Sequence, residues 1–79
     1  MTVEEQVKDI VSKIAHIDKA IMSREATFKE MKADSLDVVQ ALVAVEETFD
    51  IEIPDEEAQK FRNFGDFVAF VENAVSKKG

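Results

Sequence analysis

Seventy-nine residues suffice for one small domain and leave little room for a large internal active site. With no cysteine, two glycines, one proline and 46% apolar residues, the chain excludes a disulfide framework, a thiolate zinc site and a protein thiol nucleophile, and argues against both disorder and a many-stranded sheet. Its formal net charge of −7 disfavours nucleic acid and anionic membranes as partners and favours proteins with basic surfaces.

Val3, Val7, Ile10, Val11 and Ile14 recur at helical spacing with charged residues between them, and Thr2 with Glu5 forms a capping-box signature. A first helix is expected over about Val3 to Ala15. His16, the only histidine, lies near its end, where a cationic ring suits the helix dipole. With no nearby acid ligands or serine partner, it reads as structural or solvated.

From Ile17 to Lys32 the periodicity weakens. This is read as a long connection held down by Ile17, Ile21, Met22, Phe28 and Met31, with 23–27 as its most loop-like part. Connections of this length are usually functional or locally structured.

A second long helix is expected over about Leu36 to Phe49. Val38, Leu42, Val45 and Phe49 occupy one face and form its expected core. Leu36, Val39 and Val43 form a second stripe that a small bundle cannot also bury completely. It lies either under the connection or exposed among acids as a strip for a partner. The charge is concentrated here: residues 34–57 carry nine acids and no base, whereas residues 1–33 carry six of each and residues 58–79 carry two acids and four bases. A solvated face is the plain reading of such a run.

Asp50-Ile51-Glu52-Ile53-Pro54 interrupts the pattern, and proline suits a first helical position. A short third helix is expected from Pro54 to about Lys60, with Asp55, Glu56 and Glu57 complementing its positive end. Asn63 then reads as the N-cap of a last helix with Asp66 at its third position. Phe64, Phe67, Val68, Val71, Ala74 and Val75 form its apolar face, Phe70 lies off it, and Lys77, Lys78 and Gly79 close the chain. The six phenylalanines, unaccompanied by tryptophan, tyrosine or a basic patch, are core residues rather than a platform for bases. The expected fold is all-α: a four-helix bundle with three longer helices, one short third helix and a long connection between the first two, in a single domain over 1–79.

The longest apolar runs, 41–45 and 67–71, are five residues each, far short of the roughly 20 needed to span a bilayer. The N-terminus lacks the basic and apolar regions of a signal peptide. A cytoplasmic location without membrane insertion is therefore expected.

Ser35 stands where the polar connection meets the second helix. By position alone it reads as an N-cap. Nucleophilic catalysis is disfavoured, because His16 lies well before it, no glycine-rich elbow surrounds it and its neighbours are carboxylates. A helix N-terminus nonetheless suits a phosphate, with Lys32 adding attraction and Asp34 and Asp37 opposing it.

The segment Phe28-Lys29-Glu30-Met31-Lys32-Ala33-Asp34-Ser35-Leu36-Asp37 resembles the surroundings of the modified serine in acyl carrier proteins, usually Phe-x-x-Asp-Leu-Gly-x-Asp-Ser-Leu-Asp, with its phenylalanine one position nearer the serine. The likeness continues through 45–58, covers 27–58 closely and the whole chain at lower stringency. It implies that Ser35 receives phosphopantetheine covalently, from coenzyme A, through a carrier protein synthase (a phosphopantetheinyl transferase). Acyl groups then ride as thioesters on the arm, and the protein has no catalysis of its own. It also implies that Asp34, Leu36, Asp37, Val39, Val43, Glu46 and Glu47 are recognised by basic patches of fatty-acid synthesis enzymes and acyltransferases, and that the interior shelters part of the acyl chain. A monomer without a metal site is expected.

The chain departs from the family pattern at several places. Lys32 stands where glycine is common, Gln40 where glutamate is, His16 where glycine is, and Ala41 where a larger leucine is, while Glu30 and Met31 replace Asp-Leu conservatively. Lys32 and Gln40 keep open a specialised carrier for polyketide, lipid A or other acyl chemistry. Two other classes are an acidic helical adaptor without a prosthetic group and a calcium-binding helix-loop-helix around Asp50, Glu52 and Asp55. The calcium reading fails because Asp55 occupies the position where the loop needs glycine and Pro54 interrupts it.

Overall fold

In the computed structural model, which describes residues 2–31 and 34–78, the first helix, α1, spans Val3–Ala15. The Thr2 hydroxyl accepts from the Glu5 amide at 3.1 Å, and the Glu5 carboxylate accepts from the Thr2 amide. Together they satisfy two donors that a helix start leaves open. At the other end His16 is exposed and adopts the left-handed conformation, φ 57° and ψ 42°. A residue with a Cβ pays about 1–2 kcal/mol for that conformation. Part of this is recovered because glycine has more unfolded-state freedom to lose. His16→Gly is therefore expected to stabilise the fold by about 1 kcal/mol, read as a higher urea midpoint at unchanged slope.

The connection folds locally instead of wandering. Asp18 caps a single 3-10 turn, Lys19–Ile21, by accepting from the Ala20 amide at 2.9 Å. Ile17, Met22 and Met31 are buried and Phe28 is half-buried, as expected of residues that pin the segment. Ile21 is a correction: it is 50% exposed, because the 3-10 turn that sends its neighbour Met22 into the core carries Ile21 to the outer side.

Further along, Thr27 and Glu30 bond reciprocally through side chain and backbone, at 3.1 and 3.0 Å. This box fixes the turn from which Phe28 and Met31 reach inward.

The last helix, here α4, spans Phe64–Lys78. Its N-terminus holds the connection in place. The Phe64 amide donates to the Ala26 carbonyl and the Gly65 amide to the Arg24 carbonyl, both at 2.8 Å. A Cβ at Gly65 would sit 2.8 Å from that same Arg24 oxygen, so the close approach requires glycine. The Asp66 amide donates to Asn63 at 2.8 Å, and the Arg62 amide to the Asp66 carboxylate at 3.0 Å, as the expected Asn63 cap requires.

The Arg24 guanidinium joins Glu4 of α1 at 2.7 Å and Glu72 of α4 at 3.4 Å. Together with Lys8 it holds the Glu4 carboxyl below the usual carboxylate range.

The second helix, α2, spans Ser35–Phe49, and the short third helix, α3, spans Asp55–Ala58. Pro54 precedes α3 as its cap instead of beginning it, and the helix stops before Lys60 because the chain tightens: the Lys60 amide bonds back to Glu57, three residues away. Phe64, Phe67, Val68 and Val71 of α4 are fully buried with Val7 of α1 and Val45 of α2. Full burial of each such side chain contributes about 1.5–3 kcal/mol.

The expected core of α2 is shifted. Val45 is buried, but Val38, Leu42 and Phe49 are half-buried, and Ala41 lies deeper than any of those three. Its methyl group lets α1, the main packing partner of α2, approach.

Candidate functional site

The head of α2 is built by Asp34. Its backbone is extended, its Oδ1 accepts from the Leu36 amide at 3.1 Å, and its carbonyl accepts from the Val38 amide at 2.9 Å. The cap is therefore Asp34, and Ser35 is the first helical residue, which corrects the reading of Ser35 as a capping hydroxyl. A carboxylate one residue earlier is a charge-assisted acceptor and takes the role. Ser35 is exposed, and its hydroxyl makes no hydrogen bond among the described residues. It sits at the positive end of the α2 dipole. Lys32 lies outside the described residues.

A groove of about 390 Å³ opens beside this hydroxyl. Val38, Val39 and Leu42 of α2 form one wall. The other sides come from Phe28 and Lys29 of the connection and from Asp55, Ala58 and Gln59 at α3. Sequence spacing alone does not point to the α3 and connection residues as part of a site. Beneath the groove, and sharing Phe28, Val38 and Leu42 with it, is an apolar void of about 10 Å³.

The second stripe of α2 is exposed and does not lie under the connection. Leu36, Val39 and Val43 are 63%, 55% and 46% exposed, in line along the helix with exposed Gln40 and Glu47. Asp37 is half-buried beside them. No ion pair among the described residues reaches Asp37, Glu47, Glu52, Asp55 or Glu56.

Glu46, expected as a recognition residue, also has a structural bond. Its Oε2 accepts from the Ile53 amide at 2.8 Å, which fastens the segment before α3. Glu46→Gln replaces a charge-assisted acceptor and is expected to cost about 1 kcal/mol in chemical denaturation, whereas Glu47→Gln should change stability by no more than about 0.5 kcal/mol.

Asp50 is likewise occupied. It ends α2 in the left-handed conformation, φ 54°, and its carbonyl accepts from Lys78 Nζ at 2.9 Å, while its carboxylate pairs with the same ammonium. That cation holds the Asp50 carboxyl below its ordinary range. The acidic run is thus partly neutralised from outside, with Lys60 also reaching Glu57 at 3.5 Å. Among the described residues, Asp50, Glu52 and Asp55 are not gathered into a group that would hold a metal ion. No described helix is long and apolar enough to cross a membrane.

Residues 5–71 match the family model described as a phosphopantetheine attachment site. The chain is 43% identical over 74 residues to an acyl carrier protein of Helicobacter pylori strain J99, covering 92% of this chain and 95% of that one. Identity and coverage are the same for an acyl carrier protein of Helicobacter acinonychis. Among solved structures, it superimposes on a holo acyl carrier protein from Geobacter metallireducens with a TM-score of 0.85 at 25% identity, over 99% of this chain and 91% of that one. For an acyl carrier protein from Thermotoga maritima the TM-score is 0.82 at 29% identity, over 95% and 88% of the two chains.

Proposed function

Since the chain belongs to the acyl carrier proteins, we propose that Ser35 is the residue to which its phosphopantetheine arm is joined. Its role is to carry acyl chains on that arm in fatty acid biosynthesis. The observation that most supports Ser35 is the division of labour at the head of α2. Asp34 supplies the cap, so the neighbouring hydroxyl is left exposed and without a hydrogen bond among the described residues. A phosphate ester on that oxygen falls at the positive end of the helix.

The residues fit the group. The hydroxyl opens to solvent, where another enzyme's active site reaches it, and the adjoining groove offers Val38, Val39 and Leu42 to the arm. When bound, the arm supplies a thiol, which the chain itself lacks, and acyl groups travel on it as thioesters.

The carrier interacts with a phosphopantetheinyl transferase and with enzymes of fatty-acid synthesis. We assign their docking to the exposed strip of Leu36, Val39 and Val43 with Asp34, Asp37, Glu46 and Glu47, which complements a basic patch on the partner. The chain acts as one carrier domain and as a monomer in this reading.

The acyl step is tested by giving arm-loaded protein an acyl donor and an acyltransferase, and following intact mass. The expected result is one acyl increment, released by neutral hydroxylamine as a thioester is. An increment on protein lacking the arm, or one that resists hydroxylamine, contradicts the proposal.

A further inference from the structure

We infer that Phe67 closes the inner end of the groove beside Ser35 and so limits the length of acyl chain that this carrier shelters. The inference rests on Ser35 as the attachment point and adds the residue that sets the depth of the apolar space behind it. The groove and the void beneath it share three walls, Phe28, Val38 and Leu42, so the surface space leads toward the interior. The void is completed by Val11, Ala15, Ala41 and Phe67.

Two of these, Ala15 and Ala41, contribute only a methyl group where α1 and α2 approach each other. The aromatic ring of Phe67 is the largest of the four side chains that complete the void. What remains is about 10 Å³, at the threshold for a single water, and no alkyl chain enters it without displacing a side chain.

Phe28 belongs to both spaces and is half-buried, whereas Phe67 belongs to the inner space alone and is buried. Its ring lies against Phe61, Phe64 and Phe28, with centroids 5.6, 6.1 and 6.3 Å away. The helix carrying it is fixed at its start by the Ala26 and Arg24 carbonyls. A stop held from three sides favours short acyl chains inside and leaves the methylenes of long ones in the groove or in solvent.

The test is a series of saturated acyl groups from butyryl to palmitoyl, loaded on wild type, Phe67→Leu, Phe67→Ala and Val7→Ala, with thioester half-life in neutral hydroxylamine and melting temperature as readouts. Wild type should reach a plateau of protection among the short chains. Opening the stop should move that plateau to longer chains, with up to about fourfold longer half-life per methylene newly admitted. Val7 is buried but lines neither space, so Val7→Ala should lower the melting temperature and leave the plateau in place. Phe67→Leu retains most of the volume and carries the test if Phe67→Ala does not fold.

Protection that rises steadily to palmitoyl in wild type, or a plateau unmoved in a folded Phe67→Leu, overturns the inference while Ser35 stands. Failure to load at Ser35 overturns the attachment itself, and this inference with it.

Discussion

A Ser35→Ala variant is expected to take up no phosphopantetheine from coenzyme A while unfolding within about 0.5 kcal/mol of wild type. The two halves of this result have separate causes. Loading is lost because the substitution removes the only oxygen at this position that can form the phosphate ester. Stability is kept because the hydroxyl is exposed and bonds to nothing described, while the helix start depends on the neighbouring carboxylate of Asp34.

Asp34→Ala should instead lose about 1 kcal/mol from the missing cap and, with a docking charge gone but the hydroxyl still present, load more slowly to the same single increment on Ser35. Urea denaturation and intact mass on the two variants check both halves. A Ser35→Ala protein that melts like a cap mutant would show that the helix begins one residue later, and one that still gains the arm would place attachment elsewhere.

Reversing charge on the exposed strip should have the second largest effect. Glu47→Lys places a cation in line with Leu36, Val39 and Val43, where a basic patch must approach. At low ionic strength the association rate with a phosphopantetheinyl transferase is expected to fall by about tenfold, since steering by complementary charge governs encounter. The difference should shrink as salt shortens the screening length. Val43→Ala removes contact area without charge, so it should act on dissociation instead and change little with salt. Stopped-flow binding across a salt series separates the two. An association rate indifferent both to Glu47→Lys and to salt would remove electrostatic docking from the account.

Much of this was readable in the residues because it is local chemistry. The span of α1 and its Thr2–Glu5 box, and the Asn63–Asp66 cap of α4, come out as their spacing predicts, since caps and helical periodicity are decided within a few residues. The Thr27–Glu30 box carries the same signature, but spacing does not single it out because it begins a turn and not a long helix. At the head of α2 two good caps stand side by side, Asp34 and Ser35, and spacing does not choose between them; the bond to the Leu36 amide does.

What spacing cannot supply is the direction in which a side chain is drawn by a distant partner. Glu46 reaches the Ile53 amide and Asp50 meets Lys78 across 28 positions, so two members of an apparently uniform acidic run are already engaged. Ala41 became core through the approach of α1, which a helical wheel of α2 alone does not contain. The groove is of the same kind, since its sides come from α2, the connection and α3 together.

The most direct measurement is to incubate the wild-type protein with coenzyme A and a phosphopantetheinyl transferase, record its intact mass, and fragment it to locate the change. One phosphopantetheinyl increment, carried by the oxygen of Ser35, is the predicted result. An increment on Ser12, Ser23, Ser76 or a threonine, or an unchanged mass with several transferases, would contradict it.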